Sequence, residues 1–180
     1  MTLIETERLT LHQPEQGDLD AFAPIFADEE VNRYLGGVAR TRDDARQSIE
    51  AYMRHWEIYR VGPLTLVRKA DRRILGRVGF LVWDPSVWAH GLRGDLREPY
   101  ETELGWALGR EHWGQGYATE AAVAARDWAF AERDLPRLIS LINVENHASI
   151  RVAEKLGASP GRIVEGPPFT GPTCVYEYER

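Results

Sequence analysis

Hydrophobic and polar residues alternate with a period of two in several short stretches of the chain, and this alternation predicts β-strands with one buried face. The polar turn 70–73 separates two such stretches, so it predicts a hairpin. The predicted strands cover residues 2–12, 64–67, 74–82, 103 to about 109, 137–142 and a final pair within 163–178.

Other stretches carry hydrophobic residues three and four positions apart, which predicts helices between the strands. The first helix is predicted to begin at Asp18, whose side chain can cap it, and the last is closed by Gly157. The other predicted bounds run from after Thr41 to about Tyr59, from Tyr117 to about Arg133, and from Ala148 to Leu156.

These elements follow one another in the order β-α-α-β-β-β-α-β-α-β-β, which is mixed rather than strictly alternating. We therefore expect a mixed α/β (α+β) fold with one central twisted mixed sheet and helices on both faces. The chain length favours a single domain, residues 1–180, that buries ~70% of the surface of the unfolded chain. Residues 84–100 show no clean periodicity, and either a variable surface loop or a substrate lid explains them.

The segment 103–120 combines a strand, a glycine turn and an alanine-rich helix. Glu103 shares its face of the strand only with small residues, so a ligand can lie along that face. Gly114 and Gly116 allow close approach of the backbone, and the helix that starts near Tyr117 offers unpaired N–H groups to an anion such as pyrophosphate. A plain tight turn explains the same glycines. A P-loop and a complete dinucleotide fingerprint are both missing, so neither ATP nor NAD is favoured.

Four blocks of sequence carry a resemblance to a known family. Residues 111–121 read EHWGQGYATEA and residues 143–157 read NVENHASIRVAEKLG, while residues 5–11 read ETERLTL and residues 28–35 read DEEVNRYL. Together they resemble the Gcn5-related N-acetyltransferase superfamily, and more narrowly its branch of ribosomal-protein N-terminal alanine and serine acetyltransferases. The blocks span nearly the whole chain in the same order.

The resemblance implies acetyl-CoA as the cosubstrate, with its pantetheine arm in a V-shaped splay between the strand that ends at about Gly109 and the strand that ends near Asn143. In the superfamily, the asparagine that matches Asn146 bonds pantetheine, and many members are dimers. The positions assigned to the cofactor are Ala107, Leu108, Trp113, Gly114, Gln115, Gly116, Tyr117, Ala118, Thr119, Asn143, Asn146 and Ser149.

Transfer of an acetyl group to an amine needs a neutral amine, but an α-amine with a pKa near 8 or a lysine amine near 10.4 is protonated at pH 7. Glu103 is the candidate base, and related enzymes use a glutamate on this strand. A carboxylate that only binds the positive charge of the acceptor is the alternative. A backbone N–H near Leu108 is the candidate group for stabilising the oxyanion.

The departing thiolate needs a proton, which many superfamily members supply from a tyrosine seven residues after the asparagine that matches Asn146. Here that position is Ala153. Ser149, or a water that it holds, is the natural replacement, and a thiol pKa near 8.5 means that solvent can also suffice. Asn146 and Ser149 equally fit capping residues of the helix that they open.

The formal charge of -6 weakly disfavours nucleic acid as a partner and is compatible with a cationic acceptor. No apolar run approaches the ~20 residues that span a bilayer, and the N-terminus lacks a signal pattern, so a cytoplasmic protein without a membrane partner is expected. Cys174 is interpreted as a packing residue, and the five histidines lack metal-ligand spacing, so no metal site is expected.

The leading hypothesis is acetyl-CoA-dependent N-acetylation of a primary amine by direct transfer. A peptide or protein N-terminus and a small-molecule amine are both open as acceptors, and a homodimer is compatible with the resemblance. A catalytically silent acyl-CoA-binding sensor is the alternative function. Glu103 favours the enzyme, because a sensor needs no base.

Overall fold

A computed structural model describes residues 2–180, apart from the side chain of Arg93, and within them nine strands form one mixed sheet. The strands are β1 (Thr2–Glu5), β2 (Leu9–His12), β3 (Pro63–Arg68), β4 (Ile74–Asp84), β5 (Ala89–His90), β6 (Glu101–Leu108), β7 (Arg137–Asn143), β8 (Ser159–Val164) and β9 (Thr173–Glu179). The helices are α1 (Leu19–Ala27), α2 (Glu29–Asn32), α3 (Arg42–Tyr59), α4 (Tyr117–Glu132) and α5 (His147–Lys155). The order across the sheet is β1-β2-β3-β4-β6-β7-β9-β8, with β5 paired to β4, which confirms the predicted fold class.

Strands β6 and β7 are parallel neighbours, whereas the other neighbouring strands pair in antiparallel fashion. Glu103 and Ile139, near the beginnings of β6 and β7, form the one residue pair between these strands in the described chain. A continuous parallel ladder carries evenly spaced bonds along its length. The strands therefore separate toward Leu108 and Asn143, and the predicted V-shaped splay is present.

Helices cover both faces of the sheet. On one face, Phe80 and Leu104 belong to the same buried cluster as Ala121 and Ala125 of α4, and these alanines let the helix approach the sheet closely. Side chains of alternate residues on β4 and β6 point to the opposite face, where the Arg77 guanidinium lies over the ring of Tyr52 on α3. Glu103 shares this second face with Arg77.

Local signals set where two of the helices begin. Thr41 and Asp44 form a reciprocal capping box at the start of α3, since the side chain of each accepts the backbone N–H of the other at 3.2 and 2.8 Å. Gly116 precedes α4 with φ of 82°, a left-handed conformation that favours glycine. Helix α4 therefore starts at the predicted residue, Tyr117.

Four local features differ from the sequence predictions. Strand β8 begins at Ser159, before the predicted range 163–178, because its residues are nearly all exposed and show no alternation. The stretch 2–12 forms two strands rather than one, because the chain reverses at Thr6, whose Oγ1 accepts the N–H of Leu9 at 3.0 Å. Helix α2 and strand β5 were not predicted, since elements this short show no period. Asp18 does not cap α1: it ends a 3-10 turn, and its Oδ2 instead accepts the hydroxyl of Thr65 at 2.6 Å.

Candidate active site

An open cavity of about 550 Å³ occupies the splay between β6 and β7 and continues over the small-residue face of β4 and β6. Its walls come from α2 and the residues that follow it, from the glycine turn before α4, and from the first turns of α4 and α5. This volume is ordinary for a cofactor or substrate site. A smaller cavity of about 240 Å³ lies beside Trp56 and contains none of the predicted site residues.

The glycine turn exposes backbone N–H groups to one end of this cavity. Gly114 and Gly116 have φ of 71° and 82°, and a Cβ at Gly114 would meet no other atom within 4 Å, so the turn stands open on that side. No side chain caps α4, and Tyr117, Ala118 and Thr119 line the cavity. The positive end of the helix dipole and its unpaired N–H groups therefore face the cavity, which suits a phosphate-bearing ligand.

Arg8, which the sequence reasoning missed, holds the glycine turn in place. Its Nε donates to Glu120 in the first turn of α4 at 2.6 Å, and its Nη1 donates to the Gln115 carbonyl at 3.0 Å. The guanidinium also lies over the Tyr117 ring, 4.5 Å from the centroid. Charged hydrogen bonds of this kind are strong, so the β1–β2 hairpin fixes the geometry of the turn. The sequence signal for this segment is the resemblance that residues 5–11 carry to the acetyltransferase superfamily.

The backbone of β6 offers a free N–H at the splay. Gly109 N–H donates to the Leu75 carbonyl of β4 at 2.9 Å, and since N–H groups of a strand alternate in direction, the N–H of Leu108 points away from β4 toward β7. The carbonyl of Leu108 accepts the indole N–H of Trp113 at 2.8 Å. A ligand at this point therefore meets the Leu108 N–H as a hydrogen-bond donor, and an oxyanion is stabilised by such donors.

Glu103 is half-buried at the closed end of the splay, where it lines the cavity. Its Oε2 accepts the indole N–H of Trp83 at 2.6 Å. Burial raises the pKa of Glu103 above its ordinary value, and this effect outweighs the lowering by the Trp83 hydrogen bond, the charge of Arg77 and the Leu141 N–H. A carboxylate with a raised pKa is a stronger base for an ammonium group.

Asn143, Asn146 and Ser149 form the opposite wall of the splay. The Oδ1 of Asn143 accepts the N–H of Glu145 at 2.9 Å, and the Oδ1 of Asn146 accepts the N–H of Ser149 at 3.2 Å. Asn146 therefore caps α5, as one interpretation of the sequence expected, and each amide keeps its NH₂ group as a donor. The Ser149 hydroxyl has no hydrogen-bond partner among the described residues and remains available to a ligand.

The structure gathers nearly all predicted site residues around the one cavity. Gln115 is the exception, because its exposed side chain turns back and donates to the Glu111 carbonyl at 2.8 Å. The predicted residues that line the cavity are Glu103, Ala107, Leu108, Trp113, Gly114, Gly116, Tyr117, Ala118, Thr119, Asn143, Asn146 and Ser149.

Ser140 is a further polar residue of the cavity that the sequence reasoning did not identify. Its hydroxyl donates to the Leu104 carbonyl and lies 2.9 Å from the Tyr178 hydroxyl. Burial raises the pKa of Tyr178 to about 12, so this phenol stays protonated at neutral pH. The pair therefore links β6, β7 and β9 at the closed end of the splay.

Residues 85–100 pack beside the cavity rather than across it. Strand β5 pairs with β4, and the Leu96 N–H donates to the Tyr59 hydroxyl of α3 at 3.1 Å. Trp88 contacts the rings of Trp83 and Phe169. Within the described side chains, this segment contributes none of the cavity lining.

The described residues contain no cluster of three histidine, cysteine, aspartate or glutamate side chains that could hold a metal ion. No helix among them has the length and hydrophobicity to cross a membrane.

A groove that joins a helix N-terminus to a carboxylate fits a protein that handles a phosphate-bearing cofactor and a second ligand. The model of the acetyltransferase (GNAT) domain family matches residues 8–159, so the chain belongs to this family of acetyltransferases. YkkB of Bacillus subtilis (strain 168) is 31% identical over 177 residues, covering 98% of this chain and 95% of YkkB. The N-acetyltransferase p20 of Bacillus licheniformis is 29% identical, covering 87% and 82% of the two chains.

Solved structures show the same fold. An acetyltransferase from Agrobacterium tumefaciens str. C58 is 30% identical, with a TM-score of 0.78 and coverage of 100% of this chain and 95% of that one. The microcin C7 self-immunity acetyltransferase MccE, solved with acetyl-CoA and AMP, is 16% identical, with a TM-score of 0.77 and coverage of 97% and 94%. A Salmonella typhimurium enzyme that modifies the N-terminal serine of ribosomal protein L7/L12 is 13% identical, with a TM-score of 0.78 and coverage of 97% and 96%. The last two likenesses show the fold alone.

Proposed function

We propose that this protein transfers an acetyl group from acetyl-CoA directly to a primary amine, within a single domain of residues 1–180. The observation that carries the proposal is the continuity of one cavity from the exposed N–H groups at the start of α4 to the carboxylate of Glu103. Acetyl-CoA fits because it carries a pyrophosphate at one end of a long arm and a reactive thioester at the other. Membership of the acetyltransferase family and the acetyl-CoA bound by MccE support this choice.

In this proposal each part of the cavity has a role. The glycine turn and α4 bind the pyrophosphate, and the Asn143 and Asn146 amides bind the pantetheine arm. Glu103 takes a proton from the ammonium group of the acceptor, and the neutral amine then attacks the thioester carbon. The Leu108 N–H stabilises the oxyanion that forms as the C–N bond is made. When the C–S bond breaks, the thiolate receives a proton from Ser149 or a water that it holds. The second proton, which the attacking nitrogen loses as the amide forms, passes to solvent, which in turn reprotonates Ser149 or the water.

The acceptor is a primary amine of a peptide or protein N-terminus or of a small molecule. The L7/L12-modifying enzyme of the same fold acts on a ribosomal protein N-terminus, which supports the first of these. A panel of N-terminal peptides and small amines, assayed for release of free CoA, tests the proposal. If acetyl-CoA binds tightly but none of the amines in the panel causes release of CoA, a silent acyl-CoA sensor would be favoured.

Acetyl-CoA is expected to stabilise the folded protein. A ligand that binds only the native state raises the free energy of unfolding by about 2.7 kcal/mol at one hundred times its Kd. The melting temperature measured with and without acetyl-CoA checks this. NADH serves as the control, because the sequence lacks a complete dinucleotide-binding fingerprint. An increase with NADH and none with acetyl-CoA would contradict the proposed cofactor.

Replacement of Ser149 by alanine is expected to lower kcat while affinity for acetyl-CoA stays nearly the same. The backbone N–H that Asn146 caps is retained, so α5 keeps its start and only the hydroxyl is lost. We expect a loss of about tenfold, below the range typical of general acids, because a thiolate is a good leaving group. Steady-state kinetics check this, with Ser159→Ala, an exposed serine on β8, as the matched control. A loss confined to acetyl-CoA affinity would assign Ser149 to binding.

A further inference from the structure

Arg77 places a positive charge in the cavity and forms no hydrogen bond or ion pair with any described residue. The side chain projects from β4 and contributes to the cavity lining. Its Nε is fully buried and has no hydrogen-bond partner among the described residues. Its guanidinium lies over the Tyr52 ring, 5.7 Å from the centroid. A buried charged donor without a partner is unusual in a folded protein and calls for an explanation.

Other cations of the cavity wall are placed differently. Arg33 forms an ion pair with Glu30 at 3.8 Å, so its charge is matched. Arg151 and Lys155 lie exposed on α5, on the far wall of the splay. Arg77 is the cation on the face of the sheet that carries Glu103.

The route from Arg77 to Glu103 is open. Arg77 pairs with Ala107 across β4 and β6, whereas Glu103 pairs with Leu81, so the two positions lie on one face about four residues apart. This separation corresponds to roughly 13 Å of strand at about 3.3 Å per residue. Gly79 and Gly105 pair with each other midway and add no side chain there, and the Glu103 carboxylate leans over Gly105, with its Oε1 3.5 Å from the position that a Cβ of Gly105 would take. The gap between the two charged groups is therefore shorter than the strand separation, which suits a small ligand that carries an ammonium group and a carboxylate close together.

The two charges are opposite, and each calls for a different group on the ligand. Glu103 is the base of the proposed function and needs the ammonium group of the acceptor near it. A guanidinium suits a carboxylate, which it binds with two parallel charged hydrogen bonds. The phosphates of the cofactor are accounted for at the far end of the cavity by the glycine turn.

Building on the proposed function, we propose that Arg77 selects acceptors that carry a carboxylate close to the amine to be acetylated. Two sources share this chemistry: the α-carboxylate of a free amino acid, and an acidic side chain near the N-terminus of a peptide. Arg77 binds the carboxylate and thereby places the amine beside Glu103. Its role is in acceptor specificity and positioning, and the proton transfer is left to Glu103.

The test uses matched pairs of acceptors that differ only in the carboxylate. One arm pairs free amino acids with their amides, and the other pairs amidated peptides that carry Asp or Glu at the second position with peptides that carry Asn or Gln there. We expect the wild type to prefer the acceptor that carries the carboxylate in one of the two arms. That arm shows whether the carboxylate comes from a free amino acid or from an acidic side chain of a peptide. Arg77→Gln is expected to lower kcat/KM for the preferred acceptor by about 10- to 100-fold, chiefly through KM, with a much smaller loss for the amide. Arg77→Lys is expected to restore part of the preference.

The control is Arg46→Gln, which removes an exposed arginine of α3 that contacts Asp43 and Glu50 outside the cavity. Calorimetric binding of the N-acetylated products to the protein loaded with CoA adds a readout that needs no turnover. If no acceptor is acetylated, the proposed function fails, and product binding alone decides the role of Arg77. Equal losses for both members of every pair in Arg77→Gln, or equal product affinities with and without the carboxylate in the wild type, would overturn the inference.

Discussion

Turnover at neutral pH is expected to fall by about 100-fold or more when Glu103 is replaced by glutamine, the typical size of a general-base contribution. The replacement keeps the size of the side chain, and its oxygen can still accept the indole N–H of Trp83, now bonded to Oε2 at 2.6 Å. Only the basic carboxylate is lost. Steady-state kinetics of CoA release with a fixed acceptor measure the effect.

The pH dependence identifies how Glu103 acts. The base works in its ionised form, and burial raises the pKa of Glu103, so wild-type kcat/KM is expected to fall as the pH drops through that raised value. In Glu103→Gln this acidic limb of the pH profile disappears, and activity rises with pH as the amine loses its proton to solvent. Trp83→Phe removes the hydrogen bond that lowers the pKa of Glu103, so it is expected to move the limb to higher pH. A Gln variant whose profile matches the wild type in height and shape would rule out Glu103 as the base.

Stability measurements separate loss of chemistry from loss of fold. Because the pKa of Glu103 is raised in the folded protein, the stability that it contributes is fully present below the pKa of the unfolded chain and is lost as the pH rises through the folded value. Glu103→Gln is therefore expected to unfold at a higher urea concentration than the wild type at neutral pH. A variant that is inactive because it unfolds would show the opposite.

Affinity for acetyl-CoA is expected to fall by about 10- to 100-fold when Gly116 is replaced by valine, since hydrogen bonds to a charged group contribute about 1.5–3 kcal/mol each. The left-handed φ of 82° is costly for a β-branched residue, and a Cβ at this position would lie 3.4 Å from the guanidinium of Arg8. Both effects shift the turn that presents the N–H groups of α4. Isothermal titration calorimetry with acetyl-CoA measures the change.

Gly157→Val is the matched control for backbone strain. Gly157 follows α5 with φ of 81°, and a Cβ there would meet nothing within 4 Å. A valine there has the same energetic cost of a left-handed backbone conformation, but the position does not line the cavity. We expect its melting temperature to fall as in Gly116→Val while acetyl-CoA affinity is kept. Unchanged affinity in folded Gly116→Val would mean that this turn does not hold the cofactor.

Much of the fold and of the candidate site could be predicted from short-range patterns. The alternation along β6 placed Glu103 on a face of small residues, and the two glycines before Tyr117 predicted the start of α4 at the right residue. Such features depend on neighbours within a few positions, through the φ preference of glycine and the two periods of side-chain direction. Asn146 as a cap of α5 is of the same kind.

What only the tertiary structure decided concerns partners that are distant in sequence. Arg8 bonds to Glu120, 112 positions away, and Trp83 bonds to Glu103 across two strands that become neighbours only in the folded sheet. That the buried Nε of Arg77 has no hydrogen-bond partner among the described residues likewise depends on which side chains surround it after folding. The sequence by itself determined the glycine turn, the starts of α3 and α4 and the small-residue face, because local sterics and periodicity set them. The choice of partners for Glu103, Arg8 and Arg77 required the assembled sheet, because burial and long-range contacts are properties of the whole fold.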